Sequence, residues 1–323
     1  MGFTSLCEQL SKRPSLIVLN YHRIGTPDNT QYDPGVFSAT PEQFERQVHY
    51  LKQHFEIVTL DEAVDMVRGK TRFRSSVLLT FDDGYLDNYQ LAFPILRSAG
   101  VQATFFLPTA FIGTGRLPWW DLIAYIVRNR RRSIVRLTYP QANEFDGDKL
   151  ESQELIARVL RVYKHRDMKD HQRFIDDLLE GSGSELPAED GEVCFMDWRQ
   201  AREMQKGGMA FGSHTHNHEV LNKLPPEQQY EELARSREVL EQELQLPITT
   251  LAYPVGGKAA FSEETQKAAE RSGYLAAFSH YGGFNLAGSI RPYNVQRFGV
   301  DQQTYPRFRL QMALGGVSGS VWF

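Results

Sequence analysis

Cysteine is scarce: Cys7 and Cys194 are the only two in 323 residues. They are far apart and in no ligand-like spacing, which excludes a disulfide framework and a zinc knuckle and leaves two plain thiols. Charge of one sign is also missing, since 36 Lys and Arg against 40 Asp and Glu leave a net −4. Without a global positive field, no nucleic-acid partner is expected. No apolar run approaches the roughly 20 residues of a membrane-spanning helix, in line with a mean hydropathy of −0.43. The opening stretch from Met1 to Asn20 lacks a charged start, a long apolar run and a small-residue cleavage site, so a cytoplasmic protein is expected. Contact with a membrane surface stays open. Repeats and low-complexity tracts are absent as well. What remains, 41% hydrophobic and 24% charged residues, is a globular composition that excludes disordered, collagen-like and coiled-coil chains.

Short β-branched or aromatic runs recur along the chain: Leu16 to Tyr21, Val77 to Phe81, Ala103 to Leu107, Met209 to Ser213, Thr249 to Tyr253, Ala276 to Ser279 and Val295 to Val300. They predict about seven strands. Helical patterns lie between them. Thr40, Pro41 and Gln43 form a capping box with proline at the first helical position, ahead of Phe44, Val48 and Leu51 on one face. Thr59 and Glu62 repeat the device, Pro225 and Pro226 open a long amphipathic helix, and Gly273 closes a helix that begins near Ser262. Strands alternating with helices argue for an α/β fold with a parallel sheet or barrel. From Pro108 to Met209 about a hundred residues separate consecutive strands, far more than an α/β loop requires. A single domain over residues 1–323 with an insertion at 109–208 is therefore expected. The insertion carries Pro118, Trp119, Trp120 and Asp121, an arginine cluster (Arg128, Arg130, Arg131, Arg132 and Arg136) and an acidic Gly/Ser loop near Glu180 to Glu192.

Two segments carry chemistry. Thr80-Phe81-Asp82-Asp83-Gly84-Tyr85 follows an apolar run, so two carboxylates fall at the carboxyl end of a buried strand, where α/β folds place their sites. The same letters also describe a plain Asp-Gly turn with Asp82 as its cap. Gly212-Ser213-His214-Thr215-His216-Asn217-His218 also follows a strand and holds three of the nine histidines. His214 and His218 are spaced to face one side of a helical turn, a geometry that suits a divalent metal, whereas His216 would point away. A carboxylate beside them would complete a two-His, one-carboxylate set.

Together these motifs resemble the polysaccharide deacetylase family, carbohydrate esterases sharing a homology domain with the nodulation deacetylases. The likeness runs from Leu19 to about Val300, interrupted by the insertion. It implies a distorted (β/α) barrel of about seven parallel strands. It further implies a metal, most often zinc with cobalt, nickel or manganese as alternatives, held by Asp83, His214 and His218, with Asp82 as general base. The family's third motif is matched by Ala252-Tyr253-Pro254-Val255-Gly256, where Ala252 stands in place of an arginine. The Val255 backbone N–H would still serve the oxyanion, Tyr253 is a candidate substrate contact, and Arg297 is either the replacement cation or an ordinary surface arginine. No histidine follows His280, so the family's late general acid is absent. Leu19-Asn20-Tyr21-His22 at the end of the first strand resembles instead the circularly permuted arrangement of the poly-N-acetylglucosamine deacetylases, with His22 as the acid.

The resemblance implies a hydrolase that removes N-acetyl groups from a sugar, with O-acetyl groups as the second choice. The expected substrate is a lipid- or nucleotide-linked glycan intermediate of envelope or exopolysaccharide synthesis. Trp119 and Trp120 are either core residues or platforms for a sugar ring. The arginine cluster is either a solvated helix end or a contact for a lipid phosphate. Two rival readings are an allantoinase-like cyclic amide hydrolase and a carbohydrate-binding protein that has lost the chemistry.

Overall fold

A computed structural model of the chain describes residues 14–187, 194–283 and 285–314. Cys7 and residues 188–192 of the acidic loop lie outside the described residues, and Cys194 is a free, buried thiol. The described residues divide into two compact units, one within residues 14–25, 37–114 and 195–314 and one within residues 26–36 and 115–194.

Seven parallel strands build the first unit: β1 (Ser15–Tyr21), β2 (Ser76–Asp82), β3 (Thr104–Leu107), β4 (Ala210–Ser213), β5 (Thr250–Ala252), β6 (Ala276–Phe278) and β7 (Phe298–Gly299). Their order is β6-β5-β4-β3-β2-β1-β7, and the sheet curls into a barrel-like arc with helices around it. The strand expected over Val295 to Val300 is shorter than its pattern because the chain changes partners inside it. Val295 bonds to β6 (N–H to the Ala277 carbonyl, 2.9 Å), whereas the Val300 N–H reaches the Asn20 carbonyl at the end of β1 (2.9 Å). One segment thus touches both edges of the sheet and draws them together.

The capping signals hold. Helices α1 (Pro41–His54) and α2 (Leu60–Val67) both open on the reciprocal boxes of Thr40 with Gln43 and Thr59 with Glu62. Helix α3 (Pro226–Leu244) opens on its prolines, and Ser262 caps α4 (Glu263–Arg271). In β1 and β2 alternate side chains part to two faces. Ile17, Leu19, Tyr21, Val77, Leu79 and Phe81 join the larger apolar core, and Leu16, Val18 and Leu78 join a smaller one with Phe106, Phe278 and Val295. On that second face the next positions toward the carboxyl ends are Asn20 and His22 of one strand and Thr80 and Asp82 of the other, with Asn20 in register with Thr80. A dry face therefore turns polar at the rim.

The second unit consists of three helices (Trp119–Arg128, Ser152–Lys164 and His171–Ser182) and an antiparallel hairpin of Ile134–Leu137 with Asn143–Asp146. Ile123, Val127, Leu155, Val159, Phe174 and Leu178 are buried in it. Its bounds differ from the expected insertion. Residues 195–208 belong to the first unit, where the Met196 N–H bonds the Gly84 carbonyl at 3.0 Å. Residues 26–36 join the second unit from far away in sequence, the Asp33 N–H donating to Asp121 at 3.1 Å. Glu180 to Ser182 end a helix rather than form a loop. No helix among the described residues is long and apolar enough to cross a membrane.

Candidate metal centre and active site

Asp82 closes β2, and the backbone then turns left-handed at Asp83 (φ 73°) and Gly84 (φ 71°). Only at Gly84 is glycine required: a Cβ there would lie 2.6 Å from Leu107 Cδ2 and 2.9 Å from Ile112 Cδ1. The forced turn aims the two adjacent carboxyl groups differently. Asp82 lies against the fully buried Arg297 in a fork, with Nη1 to Oδ1 at 2.7 Å and Nη2 to Oδ2 at 2.8 Å. Asn20 adds a third donor, its Nδ2 to Oδ2 at 2.9 Å, while its Oδ1 accepts from Arg297 (2.8 Å) and from the Thr80 hydroxyl (2.9 Å). Burial alone pushes the Asp82 carboxyl up. The Arg297 guanidinium, with His214 behind it, outweighs burial and holds Asp82 well below the usual carboxylate range.

Asp83 faces the histidines. Its buried Oδ1 lies 3.5 Å from His214 Nε2 and 3.4 Å from His218 Nε2, and it makes no hydrogen bond. The two rings stand 4.7 Å apart, but not on a helical turn. That expectation is corrected: residues 214–218 are a loop with left-handed residues at Thr215 (φ 65°) and His218 (φ 55°). Helix α3 fixes the loop, Glu232 accepting from the His216 and Asn217 N–H groups at 3.1 and 2.8 Å. His216 turns away to the Thr109 hydroxyl at 2.8 Å.

These residues fit a divalent ion. The Ala252 carbonyl lies 2.8 Å from His214 Nδ1 and can only accept, so Nδ1 carries the proton and Nε2 presents a lone pair. Burial pushes the His214 imidazole down to about 4, which keeps the ring neutral at pH 7. A bare nitrogen lone pair facing an orphaned carboxylate oxygen in a buried site is repulsive unless a cation lies between them. Asp83, His214 and His218 have ligand atoms within 4.8 Å of one another, and they are the one group of three or more metal-ligating side chains of this kind among the described residues.

The remaining candidates are placed as follows. His22 follows β1, its N–H bonded to Ser38 (3.0 Å) and its carbonyl to Asn88 Nδ2 (2.7 Å). The next residue, Arg23, is clamped by Asp87 at 2.8 Å between the rings of Phe37 and Tyr85. His22 faces the site closely enough to act on the charges of both Asp82 and Asp83. Val255 sits in a strained left-handed turn (φ 63°) that a β-branched residue seldom adopts. Arg297, 0% exposed, is no surface residue, and it takes the place at Asp82 that Ala252 leaves vacant.

One candidate falls and two open readings close. Tyr253 is buried, with its hydroxyl on the Tyr293 carbonyl (3.0 Å) and its ring stacked on Phe261, so it is a packing residue rather than a substrate contact. Trp119 and Trp120 are both buried in the second unit, Trp119 stacked on Tyr163 at 4.4 Å, which leaves no open face for a sugar. The arginine cluster is engaged locally: Arg128 bonds the Tyr32 carbonyl, Arg130 the Gly147 carbonyl, Arg131 pairs with Glu185 and Arg136 with Glu144. It carries no argument for a phosphate. Asn20, Thr80 and His280 were missed. Asn20 and Thr80 stand two residues before His22 and Asp82, and strand alternation alone would have brought them to the same face.

A parallel, curled α/β sheet thus carries two carboxylates and a histidine pair at its carboxyl rim, an arrangement able to hold a divalent ion. The family model described as polysaccharide deacetylase matches residues 69–277, and the chain belongs to that family of enzymes. It is 26% identical over 321 residues to YxkH of Bacillus subtilis (strain 168), covering 99% of this chain and 78% of that protein. It is 32% identical over 114 residues to a poly-beta-1,6-N-acetyl-D-glucosamine N-deacetylase of Staphylococcus epidermidis, covering 32% of this chain and 39% of that one. In fold it resembles the Streptococcus pyogenes deacetylase PplD (TM-score 0.60, 19% identity, 92% of this chain and 97% of that one). A similar likeness holds for IcaB from Ammonifex degensii (TM-score 0.59, 20% identity, 93% and 97%).

Proposed function

We propose that the chain hydrolyses the N-acetyl group of a glycan containing N-acetylglucosamine, with Asp83, His214 and His218 holding a divalent ion, zinc by preference. The observation that carries this is the pairing of an orphaned Asp83 oxygen and two imidazoles with a second carboxylate, Asp82, kept ionised beside them. An ion held by Asp83, His214 and His218 would supply Lewis acidity for activating water and polarising the acyl oxygen. Asp82 accepts the proton of the attacking water. A carboxylate held so far down is a weak base, so the fork of Arg297 and the amide of Asn20 serve to keep it charged and aimed. The Val255 N–H donates to the oxygen that becomes negative when the carbonyl turns tetrahedral. His22 delivers a proton to the departing nitrogen, which leaves as the amine with acetate as the other product. The N-acetylglucosamine assignment draws on the printed activity of the staphylococcal relative. No residue described here speaks for a lipid- or nucleotide-linked substrate.

Asp82→Asn tests the reading. Acetate release from an N-acetylglucosamine oligosaccharide should fall by about 10²–10⁴-fold while the metal content holds. Undiminished release would remove Asp82 from the mechanism.

A further inference from the structure

One imidazole at the rim has no part in those steps. His280 follows β6, and its ring centre lies 5.7 Å from that of His22. It is mostly buried, and neither ring nitrogen has a hydrogen-bond partner among the described residues. Two glycines are shaped around it: a Cβ on Gly256 would lie 2.6 Å from His280 Cβ, and a Cβ on Gly299 would lie 2.8 Å from its Nε2. Its backbone N–H donates to the Gly256 carbonyl at 2.8 Å, which ties it to the Val255–Gly256 turn. Its Nε2 end rests over β7 at Gly299, whose partner in β1 is Asn20, two residues before His22.

Gly256 thus makes room for the backbone and Cβ of residue 280, and Gly299 makes room for the ring itself, whose nitrogens bond nothing among the described residues. Packing alone does not require a histidine there, since a phenyl ring would fill the space, and the His280 nitrogens are not among the buried polar atoms without a partner, so they stay open to an incoming group. Burial, with His22 and Arg297 adding to it, pushes this imidazole down to about 3. At neutral pH it is an uncharged ring with one donor and one acceptor, unsuited to delivering a proton but matched to a hydroxyl, which also donates and accepts.

We propose that His280 is a substrate-contacting residue that fixes the sugar through a hydroxyl neighbouring the scissile amide, on the side of His22. This rests on the deacetylase reading above. The contact belongs to the sugar rather than to the acyl group, so it acts on binding and leaves the chemical step alone.

The test compares His280→Phe, which fills the space without hydrogen bonding, with His280→Asn, which keeps a donor and an acceptor. Acetate release from an N-acetylglucosamine pentamer gives kcat and KM. Calorimetric binding of the same pentamer to Asp82→Asn and to its double variant with His280→Phe gives an affinity independent of turnover. His280→Phe should raise KM about tenfold with kcat within about twofold, and the pentamer Kd should rise by the same factor. His280→Asn should recover most of the loss. If His280→Phe shows no cooperative thermal transition, His280→Leu replaces it in the comparison. Unchanged KM and Kd in the apolar variant would overturn the inference, as would a collapse of kcat at constant KM. A wild type that releases no acetate from any such oligosaccharide would overturn the deacetylase reading and this contact with it. An active wild type with an indifferent His280 would overturn the contact alone.

Discussion

The same face of β1 and β2 holds two regions of opposite character. Toward the amino ends, Leu16, Val18 and Leu78 pack into an apolar cluster with Phe106 and Phe278. Toward the carboxyl ends, Asn20, Thr80 and Asp82 gather around a fully buried arginine. Both regions are dry, yet they are held by different physics. The first is stabilised by apolar area removed from water and tolerates changes of equal volume. The second sets a buried charge pair against its desolvation, so every partner must be present, and removing one exposes the cost borne by the others. Stability is made at one end of the strands and directed chemistry at the other, with only Leu19 and Leu79 between them.

The contrast can be broken from either side. Arg297→Leu, at the polar end, leaves Asp82 buried with Asn20 as its remaining donor. It should lower stability by about 3–5 kcal/mol in denaturant titration and remove turnover together with it. A variant of wild-type stability and activity would show that the fork is ornamental. Leu78→Ala, at the apolar end, should lower stability by about 2–5 kcal/mol through the cavity it leaves. Its specific activity at a temperature where it remains folded should stay near that of the wild type. Loss of activity without loss of stability would mean the two ends are not separate.

The smallest expected effect is one of pH on the metal-free protein. His214 titrates near 4 and His280 near 3 in the folded chain, against about 6.5 for an ordinary histidine. Between those values and 6.5 the unfolded chain binds protons that the folded chain refuses. Stability is thus intact above about pH 6.5 and is lost as pH falls through that window. The melting temperature should fall from pH 7 toward 4, with a shallower slope in His280→Phe. An identical slope in that variant would place His280 outside the titrating set.

Much of this was legible in the sequence, and the reasons are local. Capping boxes and proline at the first helical turn are short-range devices, so α1 to α4 begin where Thr40, Thr59, Pro225 and Ser262 say they should. Asp82, Asp83, His214 and His218 were visible because each follows an apolar strand. The replacement of the third-motif arginine by Arg297 was open in the sequence, and the structure closes it, because a salt bridge across 215 positions has no local sign. The spacing of His214 and His218 suggested a helix where the chain makes two left-handed turns, since periodicity reports spacing and not φ. Trp119 and Trp120 stayed open, and Tyr253 was misjudged, for a related reason. An aromatic residue reads alike as core or as platform until its neighbours are known.

The most direct test of the account is elemental analysis of the purified wild type beside His218→Ala. With Asp83, His214 and His218 as the ligand set, the wild type should hold about one divalent ion per chain and the variant close to none. Equal metal in both proteins, or none in the wild type after reloading, would contradict the site on which the mechanism stands.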